Sequence, residues 1–295
     1  MVIVKLMGGL GNQLFQYAAA KKIAINNKTE LVIDSNTGFV NDPFKREYSL
    51  NKFNIDSKTL NYNLIYLKLI EFPFINYVLN ILIKVFSINR LHLRESQDYC
   101  FDEKIIKFKS KKNIYLEGYF QSEKYFKDIE KEILTLFEFK IKFSAKVLNL
   151  LDKINNSESV SIHLREYDEM FKNKTENIYD FNRKQYYEKA ILKIKKKINN
   201  PVFFIFSDNI KWAKNLINLQ GFEVSYVSDR KSLTQFDDLF LIKSCKHNII
   251  ANSSFSWWGA WLNLNPNKII ISPKVWFQSN RYSYRDVVPV NWLKV

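Results

Sequence analysis

The sequence predicts an α/β fold built from two Rossmann-like domains. The length of 295 residues suits about two domains of ordinary size. The first half opens with an apolar strand, a glycine-rich turn, a helix and a second strand, and the second half alternates short apolar strands with helices. Such alternation is typical of parallel sheets covered by helices.

In the first half, a strand is predicted at residues 2–6, a helix at about 13–25 and a strand at 30–34. This unit indicates a parallel sheet with the glycine turn at its carboxyl edge. Between about 39 and 113 the pattern is irregular and predicts no element. A stretch at 114–126, followed by a charged helix to about 139, closes the first domain.

A polar stretch at 155–158 interrupts helical periodicity just before a new apolar strand. The first domain is therefore predicted to span 1–155 and the second 156–295, with the last ~20 residues free to pack back on the first domain. In the second domain, strands are predicted at about 159–164, 202–206, 222–227, 247–251 and 268–271, with helices near 185–197, 210–219, 234–244 and 254–263. This is the pattern of a doubly wound nucleotide-binding sheet.

The formal net charge of +15 favours an anionic partner, which leaves nucleic acid, an anionic membrane face or a phosphorylated small molecule. A nucleic-acid-binding protein would not explain the polar loops at the strand ends, and basic and aromatic residues are not interleaved on one face, so no nucleic-acid partner is predicted. Much of the charge is lysine spread along the chain, for which a solvated helix face is the alternative interpretation.

The chain start lacks the regions of a signal peptide, so the protein is expected to be cytoplasmic. An uncharged apolar run at 72–83 falls short of the ~20 residues that span a bilayer. It is interpreted as a buried helix of the first domain or as a segment in peripheral contact with the inner membrane. Cys100 and Cys245 are too few and too far apart for a disulfide framework and are expected to be plain thiols.

The first candidate site is the turn Gly8-Gly9-Leu10-Gly11-Asn12-Gln13, between a predicted strand and helix. Gly9 and Gly11 let the backbone approach a ligand closely, and Asn12 and Gln13 add amide donors and acceptors. The turn is neither a dinucleotide fingerprint nor a Walker A loop. A purely structural glycine turn is the alternative.

The second candidate site follows the predicted strand at 159–164, where His163, Arg165, Glu166 and Asp168 cluster. Arg165 has the planar donor fork that grips a phosphate and neutralises a departing nucleotide. His163 is the weaker candidate, because an isolated histidine on an apolar strand is often a hydrogen-bonded core residue.

Two further strand ends carry polar residues. Asp208 lies in the turn Phe206-Ser207-Asp208-Asn209, which also suits a helix N-cap. Another predicted strand runs into Asn252, Ser253 and Ser254 at the start of a helix, where free amides and the helix dipole favour phosphate. Three tryptophans on that helix are interpreted as core residues that lock it by packing.

No metal site is predicted. The sequence holds no pair of aspartates separated by one residue, and its three histidines are far apart with few cysteines near them. Diphosphate charge would then be met by Arg165, other cations and helix dipoles.

The chain resembles glycosyltransferase family 11, the bacterial alpha-1,2-fucosyltransferases, over most of its length. The resemblance rests on residues 8–18, 118–126, 161–165 and 204–212, and above all on CKHNIIANSSFSWWGAWLN at 245–263. It implies a GT-B arrangement with a cleft between the two domains, the acceptor in or near the first domain and GDP-fucose in the second. It also implies inversion at the anomeric carbon, no metal, and no cofactor, since the GDP-sugar is a substrate.

By the same resemblance, His163 and Asp238 would contact the guanosine, whereas Arg165 with Ser253 and Ser254 would hold the β-phosphate. Gly9, Gly11, Asn12 and Gln13 would face the cleft on the acceptor side, and Asp208 and Asn252 would belong to the donor site. Asp168 is the candidate acceptor of the proton that leaves the acceptor hydroxyl.

The predicted function is therefore transfer of L-fucose from GDP-fucose to a galactoside hydroxyl, in alpha-1,2 linkage, on a surface glycan such as O-antigen. The acceptor oligosaccharide could be lipid-linked. Alternatives are a different GDP-sugar donor with the same mechanism, or a non-catalytic nucleotide- or glycan-binding homologue.

The chain departs from the family pattern beside the diphosphate. The family usually reads His-x-Arg-Arg-Gly-Asp, and here Glu166 and Tyr167 replace the second arginine and the glycine. Asn209 likewise replaces a second aspartate after Phe206-Ser207-Asp208. An acid beside a diphosphate opposes its charge, so these changes suggest an unusual donor or acceptor, or a role for Glu166 as base or acceptor contact.

Overall fold

The computed structural model describes residues 1–60, 90–96, 99–166, 183–228, 232–277 and 283–295. The chain forms two compact units. Unit 1 comprises Met1–Ile141 with Arg285–Val287, and unit 2 comprises Lys142–Tyr284 with Val288–Val295.

Unit 1 is built on a five-stranded parallel sheet. Its strands are β1 (Val2–Lys5), β2 (Leu31–Asp34), β3 (Lys58–Thr59), β4 (Arg90–Arg94) and β5 (Asn113–Glu117). They lie in the order β3-β2-β1-β5-β4, and each neighbouring pair runs parallel. The helices described here are α1 (Leu10–Asn26), α2 (Glu103–Lys107) and α3 (Glu130–Leu136), with 3₁₀ turns at Leu50–Lys52, Glu123–Tyr125 and Lys127–Ile129.

The centre of unit 1 is the packing of α1 against β1. Val2, Ile3 and Val4 are fully buried, as a central strand of a parallel sheet must be when both of its faces are covered. The start of α1 continues the chain from the carboxyl end of β1, so the glycine turn lies at that edge of the sheet.

Unit 2 is built on a six-stranded parallel sheet. Its strands are β6 (Glu158–Leu164), β7 (Pro201–Ser207), β8 (Glu223–Tyr226), β9 (His247–Ile249), β10 (Ile270–Ser272) and β11 (Leu293–Lys294). They lie in the order β11-β10-β9-β6-β7-β8. Its described helices are α4 (Ala145–Asn155), α5 (Arg183–Lys195), α6 (Ile210–Leu216), α7 (Gln235–Ser244) and α8 (Ser254–Trp261).

Both faces of the unit 2 sheet are covered, and β7 shows this directly. Phe203 and Ile205 belong to an apolar cluster with residues of α5 and α6. Phe204 and Phe206 belong to a second cluster with residues of α4 and α7. Because successive side chains of a strand point to opposite faces, this split identifies the doubly wound sheet that the alternating sequence predicts.

A short segment near the carboxyl end of the chain belongs to unit 1. The Asp286 carboxylate accepts hydrogen bonds from Lys124 Nζ at 2.6 Å and from the Phe101 backbone N–H at 3.1 Å. Burial opposes ionisation of Asp286, but the hydrogen bonds from these donors outweigh it and lower the pKa of the carboxyl. The ionised carboxylate therefore stabilises this attachment, and the contribution is lost as the pH falls through that lowered pKa.

The prediction of an α/β fold with parallel sheets is confirmed. The units divide between Ile141 and Lys142, whereas the sequence placed the boundary after residue 155. The difference is α4, which packs against α7 and β6 of unit 2. Strands β3, β4 and β11 were not predicted, since they are short or lie in the irregular stretch.

Among the residues that the structure describes, no helix is long and apolar enough to cross a membrane. The apolar run at 72–83 lies outside the described residues.

The α7–α8 contact depends on Gly259, and this generates a stability prediction. A Cβ added at Gly259 would lie 2.3 Å from Ile242 Cγ2. Alanine has a higher helix propensity than glycine. Overpacking a tight contact nevertheless costs about 1–3 kcal/mol of stability. We expect Gly259→Ala to lower the free energy of unfolding, measured by urea denaturation.

The control is a double-mutant cycle with Ile242→Ala, which removes the clashing methyl group. In that background Gly259→Ala should be neutral or stabilising. An equal loss in both backgrounds would contradict the packing explanation.

Candidate functional site

The strand order of unit 2 reverses beside β6. From β6 the chain adds β7 and β8 on one side, and it later adds β9, β10 and β11 on the other. In open parallel sheets, ligands bind beyond the carboxyl ends of the strands at the point where the order reverses. The residues that follow β6 and β9 therefore define the candidate site.

Arg165 and Asp208 form an ion pair at this edge. β6 and β7 run parallel with Leu164 opposite Ser207, so the residues that follow each strand lie side by side. Arg165 Nη1 is 2.8 Å from Asp208 Oδ2, and the two side chains are 35% and 23% exposed. Asp208 thus orients the guanidinium, which remains partly exposed.

Glu166 is held by two neighbours on the β7 side. Its backbone N–H donates to Asp208 Oδ1 at 3.0 Å, and its Oε2 accepts a 2.7 Å hydrogen bond from Asn209 Nδ2. Asn209 also caps α6, because its Oδ1 accepts from the Trp212 N–H at 3.0 Å. The two departures from the family pattern at 166 and 209 are therefore hydrogen-bonded to each other.

Arg183 is a second cation of the site that the sequence analysis missed. Its Nη1 donates to the Arg165 carbonyl oxygen at 3.0 Å, and its guanidinium lies 5.6 Å from the centre of the Trp212 ring. It supports the backbone of Arg165 from the first residue of α5. The contact between Arg183 and the Arg165 carbonyl could not be predicted, because a single arginine at a helix start has no distinctive sequence pattern.

A pair of buried tyrosines on α5 fixes the strand ends. Tyr187 donates its hydroxyl hydrogen to the His163 carbonyl oxygen at 2.8 Å. Tyr186 donates to the carbonyl oxygens of Ile250 and Ile271, at 2.7 and 3.1 Å. Burial raises the pKa of both hydroxyls, so both remain protonated donors. The roles of these two hydroxyls were not predicted from the sequence.

The start of α8 forms the other wall of the site. Ser253 is the N-cap, and its Oγ accepts from the Phe255 N–H at 3.3 Å. Ser253 and the following Ser254 are half-buried. Behind them, the helix is anchored by tryptophans that are at most 5% exposed: Trp257, Trp258 and Trp261. The core role predicted for these tryptophans is confirmed, and their packing holds the helix in place.

His163 and Asn252 join the β6 and β9 ends to this wall. The His163 ring, which is 6% exposed, lies 5.6 Å from the ring of Phe255. Asn252 is buried and donates through Nδ2 to the Trp276 carbonyl oxygen at 3.0 Å. Asn252 therefore has a structural contact that the sequence did not reveal.

The Asp238 side chain is buried and does not lie on the surface of unit 2. It is 1% exposed, and its Oδ2 accepts from Ser228 Oγ at 2.8 Å. Ser228 Oγ in turn accepts from the Ser207 N–H at 3.0 Å. Asp238 thus connects α7 to the carboxyl ends of β7 and β8.

In unit 1, Gln13 belongs to the interior and not to an open surface. It is fully buried, and its Nε2 donates to the carbonyl oxygens of Gly8 and Glu47, both at 3.0 Å. Its Oε1 accepts from the Ser49 N–H at 2.8 Å. All three contacts fix the glycine turn to residues 47–49.

Asn12 forms a hydrogen bond with Gln121, a residue that was not predicted to belong to a site. Unit 1 also reverses its strand order, between β1 and β5, and Asn12 follows β1 while Gln121 follows β5. Gln121 Nε2 donates to Asn12 Oδ1 at 2.9 Å. Gly9, the N-cap of α1, is half-buried beside Arg46, and Gly11 is buried.

Asp168 lies outside the described residues. Among the described ranges, no group of three histidine, cysteine, aspartate or glutamate side chains is placed to hold a metal ion.

The whole chain is similar to known glycosyltransferases. The model of "Glycosyl transferase family 11" matches residues 1–295. An alpha-1,2-colitosyltransferase of Escherichia coli is 32% identical over 300 residues, covering 100% of this chain and 99% of the relative. The E. coli O-antigen biosynthesis glycosyltransferase WbnK is 32% identical over 299 residues, covering 94% and 95%.

Two solved structures share the fold. The Bradyrhizobium fucosyltransferase NodZ aligns with a TM-score of 0.51 at 14% identity, covering 88% of this chain and 91% of NodZ. Arabidopsis thaliana FUT1 aligns with a TM-score of 0.52 at 13% identity, covering 95% and 71%.

The tyrosine pair generates a prediction for the site. Tyr187→Phe removes the hydroxyl that donates to His163 O, and a lost buried hydrogen bond costs about 1–3 kcal/mol. We expect a lower free energy of unfolding by urea denaturation, because the His163 carbonyl loses its donor. Tyr226→Phe, at a half-exposed side chain on β8, is the matched control and should leave the free energy of unfolding unchanged. Equal behaviour of the two variants would refute a role for Tyr187.

Proposed function

Because the chain belongs to glycosyl transferase family 11, we propose that this glycosyltransferase moves L-fucose from GDP-fucose to a galactoside hydroxyl in alpha-1,2 linkage. The reaction inverts the anomeric carbon and needs no metal. The observation that carries the proposal is a partly exposed arginine, Arg165, at the reversal of the unit 2 sheet where a capped helix also begins.

The two features suit a nucleoside diphosphate for separate physical reasons. The Arg165 guanidinium offers charged donors to phosphate oxygens. The first N–H groups of α8 and its positive dipole end attract the same anion. In the proposal, Arg165, Ser253 and Ser254 hold the β-phosphate, and His163 and Asp238 lie on the guanosine side. A GT-B arrangement, with the acceptor on the unit 1 side near Asn12, belongs to the same proposal.

The transfer step depends more on stabilising the negative charge of the departing GDP than on a strong base. The acceptor oxygen forms a bond to the anomeric carbon while the bond from that carbon to the β-phosphate oxygen breaks. The electron pair leaves with GDP, where Arg165 and the start of α8 stabilise the added negative charge. The hydroxyl proton passes to a carboxylate, for which Asp168 is the first candidate and Glu166 the second.

The name of one relative supports an alternative donor sugar. A full-length relative is named as a colitosyltransferase, so a GDP-linked colitose is the second candidate for the donor sugar. The acceptor proposed in either case is an O-antigen oligosaccharide, lipid-linked at the cytoplasmic face of the inner membrane, which the enzyme meets by peripheral contact. Transfer assays with both donors on one galactoside acceptor decide between them.

Loss of the Arg165 guanidinium tests the proposal directly. In Arg165→Ala the leaving diphosphate loses its charged donor, and we expect kcat to fall by about 100-fold or more. The measurement is GDP release from GDP-fucose with a galactoside acceptor. Turnover near that of the wild type would refute the assignment.

A control is needed because Arg165→Ala also leaves Asp208 without its ion-pair partner. The double variant Arg165→Ala with Asp208→Asn removes the orphaned charge. We expect this variant to remain inactive while its thermal unfolding midpoint returns towards the wild type. Recovery of activity would show that the orphaned carboxylate, and not the missing guanidinium, caused the loss.

Metal independence is a separate prediction. If the guanidinium and the helix start supply the positive charge, EDTA should leave the rate of transfer unchanged. Strict dependence on added magnesium or manganese would contradict this part of the mechanism.

A further inference from the structure

The Glu166 carboxylate has a neutral hydrogen-bond partner, whereas the neighbouring Asp208 carboxylate pairs with a cation. Arg165 and Asp208 neutralise each other in an ion pair. The Glu166 carboxylate instead accepts from a neutral amide, Asn209 Nδ2, at 2.7 Å, and within the described ranges no cation lies within ion-pair distance of it. Within the described residues, the negative charge of Glu166 therefore has no ion-pair partner, although it lies one residue from the Arg165 guanidinium.

The position of this charge is fixed by the cap of α6. Trp212 N–H donates to Asn209 Oδ1, so the amide must present its Nδ2 hydrogens elsewhere, and Glu166 Oε2 receives one of them. The Glu166 N–H is bound by Asp208. Backbone and side chain of Glu166 are thus both tied to the β7 side, which keeps the carboxylate from pairing with Arg165.

A fixed negative charge beside a diphosphate site distinguishes ligands by their charge. A terminal phosphate has a second pKa of about 6, so at pH 7.5 free GDP carries about one more negative charge than a GDP-sugar, whose β-phosphate is esterified. That extra charge sits on the phosphate group that the proposed function assigns to Arg165. A unit charge at roughly 6–8 Å in a partly solvated site changes affinity by about three- to ten-fold.

We propose, resting on the proposed function, that Glu166 is a specificity-determining residue that disfavours free GDP relative to the GDP-sugar. Asn209 is the positioning residue that holds it. The consequence is that the product GDP leaves the site readily and competes weakly with the next donor molecule. Nothing in this role requires Glu166 to take part in bond breaking.

The test is calorimetric binding of GDP and of GDP-fucose, without acceptor, at pH 7.5 and pH 5.5. At pH 7.5, Glu166→Gln should bind GDP more tightly than the wild type. The increase in GDP affinity that the substitution causes should be about three- to ten-fold larger at pH 7.5 than at pH 5.5. The reason is that GDP loses its extra negative charge as the pH falls through about 6. For GDP-fucose, the ratio between variant and wild type should not change with pH. A merely structural role of Glu166 would give no such pH difference.

Two further variants separate charge from position. Glu223→Gln removes an exposed carboxylate at the first residue of β8, on the opposite edge of the sheet, and should leave both affinities unchanged. Asn209→Ser keeps a capping oxygen for α6 but removes the amide donor, so its preference for GDP-fucose over GDP should fall below that of the wild type. An undiminished preference would overturn the positioning role of Asn209.

The outcomes distinguish the two proposals. If the folded wild type binds neither GDP nor GDP-fucose, the proposed function fails. If GDP binds but Glu166→Gln changes its affinity equally at both pH values, or not at all, the discrimination by Glu166 is refuted while the proposed function stands.

Discussion

The parallel register of β6 and β7 is the constraint on which the site depends. Leu164 lies opposite Ser207, and only then do the following residues, Arg165 and Asp208, meet at 2.8 Å. A slip of one residue would turn the side chains of a strand to the opposite face of the sheet. The register is secured by apolar residues that alternate between two covered faces, so the core of unit 2 determines the geometry of its charged edge.

The ends of these strands are fixed by side chains as well as by backbone hydrogen bonds between strands. Tyr187 donates to a carbonyl of β6, and Tyr186 donates to the carbonyl that follows β9 and to one within β10. Buried carbonyl groups need hydrogen-bond partners, and the tyrosine hydroxyls supply donors to carbonyls at this edge of the sheet. Aromatic rings in the core thereby support the backbone that carries Arg165 and the start of α8, which links the packing of α5 to the geometry of the candidate site.

Sequence alone predicted the second half of the fold well, because each strand from 159 to 271 is a short apolar run between helical stretches. It also identified Arg165, Asp208 and Ser253 at strand ends. It could not predict which polar residues face one another, since Asn209 with Glu166 and Gln121 with Asn12 are contacts between distant segments. Gln13 shows the same limit: an amide beside a glycine turn suits a ligand and a backbone network equally, and only burial decides for the network.

The two units use the same topology with different side chains at the reversal of strand order. In unit 1 the described contact there joins two neutral amides, Asn12 and Gln121, whereas in unit 2 it joins Arg165 to Asp208. Neutral amides offer donors and acceptors at little electrostatic cost, which suits hydroxyl groups. Ionic groups suit a ligand whose charge changes during reaction, because fixed charges need not reorganise as it develops. The contrast supports the proposal that the anionic ligand binds unit 2, on grounds that do not depend on any resemblance.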